Sequence, residues 1–205
     1  MTLRIDARND GAVVTIPPNA HPEEGIDLAQ RQIGWIAERL AALPQRLSFA
    51  DGVTVPVLGV DHVIRHCPDK RGAVRIDGCE LLVMGQVEHL TRRLTDWFRG
   101  QARRSIEPKA HTLAAMINRQ PGRITIRDTR SRWGSCSAKG CLSFSWRLVM
   151  APESVLDYVV SHEVAHLEHM NHSRAFWATV ETLHPDATMA QAWLRTNGEG
   201  LHRIG

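Results

Sequence analysis

The chain has 205 residues, of which 43% are hydrophobic and 23% charged, and its formal net charge is +3. That length buries a core as one domain, or as one domain with a smaller appended layer, and the composition excludes the fibrous, low-complexity and disordered classes. No apolar stretch of signal-peptide length opens the sequence and no run of about 18 apolar residues occurs in it, so the expectation is a cytoplasmic protein with no membrane partner.

Residues 12–16 read as a short strand. Pro22, Glu23 and Glu24 then supply a helix start, with proline in the first turn and acids at the positive end of the helix dipole. Ile26, Ala29, Ile33, Ile36, Ala37 and Leu40 recur at helical spacing until Pro44. Between 46 and 84 the texture changes to short β-rich runs separated by the turn dipeptides Asp51-Gly52 and Asp77-Gly78, which predicts an antiparallel meander.

Helical period resumes at Val87, Leu90, Leu94, Trp97 and Phe98, continues past Gly100 and Pro108 through Ile106, Ala110, Leu113, Ala114 and Ile117, and closes at Pro121-Gly122. Segment 86–132 holds eleven Lys or Arg against four Asp or Glu, an excess of seven positive charges. Such a stripe attracts nucleic acid weakly, although the same arginines also suit the polar side of an amphipathic helix. Two strands are expected at RITIRD from Arg123 and CLSFSW from Cys141, with RSRWGSCS (130–137) between them. Pro152 and Glu153 open a helix that carries the histidines, 171–173 interrupts it, and two closing helices follow. The four cysteines, Cys67, Cys79, Cys136 and Cys141, are too few and too irregularly spaced to staple this chain and are expected to be reduced thiols.

HEVAHLEHMNH, residues 162–172, packs four histidines and two glutamates into eleven positions. Residues four apart on a helix share a face, so His162 and His166 aim at one point, and Glu163 beside the first is placed to face a metal-bound water rather than to bind the metal. Zinc needs a third protein ligand while leaving one position open. His172 is favoured, because Asn171 can end the helix in a left-handed turn and return the chain over the metal. His169 ranks second, since three ligands on one straight helix spread over about 10 Å. A chance H-E-x-x-H in a chain of this composition has a probability of roughly 3%, and roughly 0.2% with the later histidine in place.

RSRWGSCS, then LSFSWRLVMAP, then YVVSHEVAHLEHMNHSRAFW resembles the YgjP-like family of metal-dependent hydrolases, itself similar to the SprT-like and WLM zinc peptidase groups. The resemblance is strong over 123–193 and weaker over the N-terminal part. It implies an α+β fold with a zincin-like metallopeptidase core, the antiparallel β-meander and helices lying at its N-terminal side. It divides the chain into a helix-plus-meander subdomain, 1–85, and a zincin-like catalytic subdomain, 86–205, in one compact unit. It makes His162, His166 and His172 the ligands of one Zn2+ per chain, and Glu163 the catalytic glutamate acting on a peptide or protein substrate.

The resemblance further implies that segment 140–145, with Leu142 and Ser143, pairs with an extended substrate beside a rim formed by 130–137, where Arg132 and Trp133 contact it. A loop held by core tryptophan packing, with an arginine paired to Asp128, accounts for Arg132 and Trp133 equally well. Tyr158 lies one turn before His162 and is a candidate oxyanion donor or a buried helix contact. Glu181 and Asp157 are candidate acceptors for a ligand's second nitrogen. Phe176 and Trp177 read as core rather than cleft. The expected activity is zinc-dependent peptide hydrolysis; the alternatives are a nucleic-acid-associated SprT-like module and a metal-dependent hydrolase of a non-peptide substrate.

Overall fold

The computed structural model describes residues 1–7, 9–129 and 132–205. The chain forms two compact units, Met1–Arg46 and Leu47–Gly205. In the first, β1 (Thr2–Asp6) and β2 (Gly11–Thr15) make an antiparallel hairpin, followed by α1 (Pro22–Arg31) and α2 (Ile33–Ala41). The single helix expected from 22 to 44 is thus two, broken at Gln32, which lies outside helical geometry (φ −105°, ψ 16°). Glu24 accepts the His21 backbone N–H at 2.8 Å, the reciprocal cap of a helix start. The predicted apolar stripe is largely exposed: Ile36 is buried, whereas Ile26 and Ile33 face solvent.

The second unit opens with a mixed sheet of order β3-β4-β6-β5, comprising β3 (Thr54–Val57), β4 (Val60–Cys67), β5 (Arg75–Asp77) and β6 (Glu80–Met84). The antiparallel meander is corrected here, because β4 and β6 run parallel. The Asp77-Gly78 hairpin forms as expected, but it folds back so that β6 lies between β4 and β5 and buries Leu81 and Val83 at the sheet centre. The β3–β4 turn falls at Leu58-Gly59, with φ of 48° and 79°; both residues occupy the left-handed region that a two-residue hairpin turn demands.

Helix α3 (Leu90–Met116) runs unbroken through Gly100 and Pro108. Its buried residues are Leu90, Leu94, Phe98, Ala102, Ile106, Ala110 and Ala114, a strict four-residue repeat that turns one stripe into the core. The small alanines let neighbouring elements approach closely. A second sheet has the order β7-β9-β8, from β7 (Ile124–Arg127), β8 (Gly134–Cys136) and β9 (Leu142–Ser145); β7 runs parallel and β8 antiparallel to β9. Strand β8 falls within the segment expected to be a loop.

Alternation assigns the faces of this sheet. Even-numbered Ile124, Ile126, Leu142, Phe144 and Gly134 turn toward α3 and α4 (Glu153–Ala165), while odd-numbered Thr125, Ser143 and Ser135 turn away. After α4 come α5 (Arg174–Leu183) and α6 (Ala187–His202). Ser173 caps α5 by accepting the Phe176 N–H. Among the described residues no helix is long and apolar enough to cross a membrane, and all four cysteines are free.

Candidate metal centre

His162 and His166 occupy the last turn of α4, one turn apart, with ring centroids separated by 5.0 Å. The helix stops at His166 and does not continue to His169. The connection to α5 then carries His172 back, placing its ring 5.1 Å from that of His162 and 4.9 Å from that of His166. No left-handed residue makes this return: among the described residues the positive-φ non-glycines are Asp10, Leu58 and Asn118, so the turn expected at Asn171 is corrected. The early end of α4 supplies the reversal instead, with the N–H groups of Glu168 and His169 both bonded to the Ala165 carbonyl.

One nitrogen from each of the three rings lies within 4.8 Å of the other two. The closest pair, His162 Nε2 and His172 Nε2, is 3.2 Å apart, and ligands about 2.0–2.1 Å from a tetrahedral ion stand about 3.3 Å from one another. His166 Nδ1 donates to the His169 carbonyl at 2.9 Å, which fixes the tautomer and leaves Nε2 with its lone pair toward the cluster. Burial, reinforced by His166 and His172, pushes the His162 imidazole down to about 4; burial also lowers that of His166, against the opposing effect of its bond to His169. Burial thus favours the neutral form of both rings, the form that coordinates a cation. The three donors fit a divalent ion.

Phe176, fully buried, lies under all three rings with centroids 5.0, 4.5 and 4.7 Å from those of His162, His166 and His172. Trp177 was expected in the core with it; instead it is 40% exposed and stacks on His172. His169 contributes its carbonyl, and its side chain turns to Glu168. Neither expected acceptor carboxylate orients a ligand: Asp157 pairs with Lys109 at 2.6 Å, and Glu181 is exposed on α5.

Glu163 points into a pocket of about 250 Å³ that it shares with His162, Tyr158, Gly134, Arg132 and Trp133. It is buried, and burial pushes its carboxyl up to about 7 while Arg132 pulls the other way. The close approach exists because residue 134 is glycine. A Cβ there would stand 2.4 Å from Glu163 Cγ and 2.6 Å from Oε1. Tyr158 is buried with its hydroxyl 3.5 Å from His162 Nδ1, and burial raises its pKa. Trp133 stacks on His202 at 4.2 Å and packs against Gly198, so it lines the pocket and anchors α6 together. Arg132 is exposed beside the pocket, while the buried partner of Asp128 is Arg147.

Leu142 and Ser143 are not in this pocket. Strand β9 is central and paired on both sides, so an extended substrate along 140–145 has no free edge, which corrects that expectation. Leu142 is buried under the sheet, and Ser143 faces a separate groove. The edge beside α4 is β8. Arg130 and Ser131 of the expected rim lie outside the described residues. Sequence reasoning missed Gly134, whose signal was a glycine inside an otherwise β-capable run, and the platform role of Phe176, four residues after His172.

A family model of the YgjP-like metallopeptidase domain matches residues 1–197. The chain belongs to the YgjP-like family. It is thus a metallopeptidase-family domain, and the three-histidine group fits the metal ion that such a domain implies. A crystal structure of the metallopeptidase zymogen of Pyrococcus abyssi, abylysin, is similar over 45% of this YgjP-like chain and 93% of its own, at 23% identity and a TM-score of 0.42. No curated protein matches the chain.

Proposed function

We propose that this YgjP-like domain is a zinc-dependent peptidase, with one zinc ion held by His162, His166 and His172 and with Glu163 as general base. The observation that carries the reading is the convergence of three imidazole nitrogens beside a buried carboxylate that opens into the same pocket. Nitrogen-only ligation, with the closest pair at tetrahedral spacing, suits zinc. The ion, when bound, supplies Lewis acidity toward a carbonyl oxygen and acidifies water.

Glu163 takes the proton of the attacking water and delivers it to the departing amine nitrogen, so no covalent bond to the enzyme forms. Its burial in the metal-free protein raises its proton affinity toward neutrality, which suits a group that both accepts and releases a proton. Arg132, in the lining of the same pocket, keeps a positive charge near that carboxylate. The β8 ladder bonds are made by odd-numbered residues, as Trp133 O accepts from Ser145 N and Ser137 N donates to Cys141 O. The N–H and C=O groups of Gly134 and Cys136 therefore point away from β9, where an extended substrate adds as a further strand. A zincin-like arrangement follows, with edge strand, metal helix and third ligand around one cleft. The free thiols suit a cytoplasmic setting.

Metal analysis and cleavage of an unstructured protein test the reading together. Wild type should hold one zinc per chain, His172→Ala should lose it, and Glu163→Gln should keep it while losing cleavage. Zinc retained by His172→Ala, or wild-type cleavage by Glu163→Gln, would overturn the assignment.

A further inference from the structure

The outer face of the β7-β9-β8 sheet carries a second feature, separate from the metal pocket. Thr125, Ser143 and Ser135 lie directly opposite one another on consecutive strands and form a row of three hydroxyls across this face. Arg123 and Arg127 share the face at either end of β7, and Arg132 stands beside β8. Together they line a groove of about 770 Å³ with no Asp or Glu among the described residues of its wall. Other arginines of the same basic stretch have carboxylate neighbours: Arg92 has Asp96 at 3.6 Å, Arg103 has Glu107 at 2.6 Å and Arg119 has Glu168 at 4.0 Å. Arg123 and Arg127 have none among the described residues and are exposed.

We propose that this groove is a subsite for acidic side chains of the peptide substrate. The inference rests on the peptidase reading and deepens it. An extended chain added to the β8 edge turns alternate side chains to opposite faces of the sheet. One set enters the pocket at Glu163; the other passes over Ser135 and Ser143 toward the arginines. From the added strand to β7 is three strand spacings, about 14 Å, a gap that glutamate and arginine side chains bridge end to end. Guanidinium groups bind carboxylates through paired N–H donors, and the Ser135 and Ser143 hydroxyls donate to the remaining lone pairs, the Thr125 hydroxyl being bonded to the Leu142 carbonyl. Arg132, shared by groove and pocket, joins the subsite to the reacting bond. A nucleic-acid strand fits less well, because single-strand grooves combine cations with stacking aromatics and no described residue of this wall is aromatic.

The test uses full-length, zinc-loaded Glu163→Gln protein and a fluorescein-labelled decapeptide with glutamate at alternate positions, compared by anisotropy with its glutamine counterpart. The glutamate peptide should bind about tenfold more tightly at low salt, as expected for two exposed charge contacts, and the preference should shrink at high salt. Adding Arg123→Gln and Arg127→Gln should abolish the preference, with zinc content unchanged. A preference that is absent, or that survives the double substitution, overturns the subsite. Displacement of the glutamate peptide by a ten-nucleotide oligothymidylate at lower concentration than by the unlabelled peptide assigns the groove to nucleic acid and overturns it as well. Wild-type cleavage of an unstructured protein, measured alongside, separates the two readings. Cleavage without acid preference removes the subsite alone; acid preference without cleavage removes the peptidase reading and leaves the acid-binding face standing.

Discussion

Replacing Gly134 by alanine isolates the contact between β8 and the proposed base. The added methyl would sit 2.4 Å from Glu163 Cγ, 2.6 Å from Oε1 and 2.7 Å from Cδ, where ordinary carbon contacts are about 3.5–4.0 Å. Because the clash includes Cγ, moving the carboxylate tip is insufficient; the side chain must change rotamer or β8 and α4 must part by about 1 Å. Overpacking of this kind costs about 1–3 kcal/mol, which for a chain of this size lowers Tm by roughly 2–12 °C. A displacement of 1 Å at a catalytic group lowers turnover by about 100-fold. The three atoms nearest the new methyl all belong to Glu163 and none to a histidine, so metal content should remain that of wild type. A double-mutant cycle gives the sharper reading: with Glu163→Ala, which vacates the space, Gly134→Ala should cost less than about 0.5 kcal/mol. Thermal unfolding, metal analysis and cleavage of an unstructured protein follow the three quantities. The reasoning is refuted if Gly134→Ala keeps wild-type stability and turnover, or if its cost is the same with and without the Glu163 side chain.

Three other outcomes are expected. His169→Ala should retain the metal with near-normal affinity, since His166 bonds to the backbone carbonyl of residue 169; loss of zinc would make His169 a ligand. In metal-free protein, the Glu163 carboxyl at about 7 against 4.5 unfolded contributes stability that is complete below about pH 4.5 and lost as pH rises through 7, up to about 3 kcal/mol. Glu163→Gln should therefore gain on wild type across that window in urea titrations, whereas both should lose stability from about 6.5 down to about 4 as His162 is forced to protonate; a constant difference between the two proteins at all pH values would contradict the burial of the carboxylate. Arg147, 2% exposed, pairs with Asp128, donates to the Ile204 carbonyl at 3.2 Å and lies 4.1 Å over the Trp146 ring. Arg147→Met removes one partner of this pair and should cost about 3 kcal/mol in equilibrium unfolding; a change below about 0.5 kcal/mol would show that the pair contributes little.

The readable features were those set by neighbours in sequence. The grouping of His162 with His166 was legible because an i, i+4 pair shares a helix face wherever that helix lies, and the α3 stripe from Leu90 to Ala114 because a four-residue repeat needs no knowledge of what covers it. The Asp77-Gly78 hairpin followed from local turn chemistry in the same way. The parallel pairing of β4 with β6 did not, because hydrophobic alternation fixes which face of a strand is buried but not which strand lies beside it. The turn at Leu58-Gly59 carries no Asn or Asp to announce it, and its strained Leu58 is held where its N–H meets the Val149 carbonyl, far along the chain. Strand β8 is three small residues that become a strand only by pairing with β9, and Gly134 matters only because Glu163 arrives from another element. Sequence determined which side chains could hold a metal; the tertiary structure decided which strand edge faces them and which arginines remain available beside it, since both depend on surfaces brought together from distant parts of the chain.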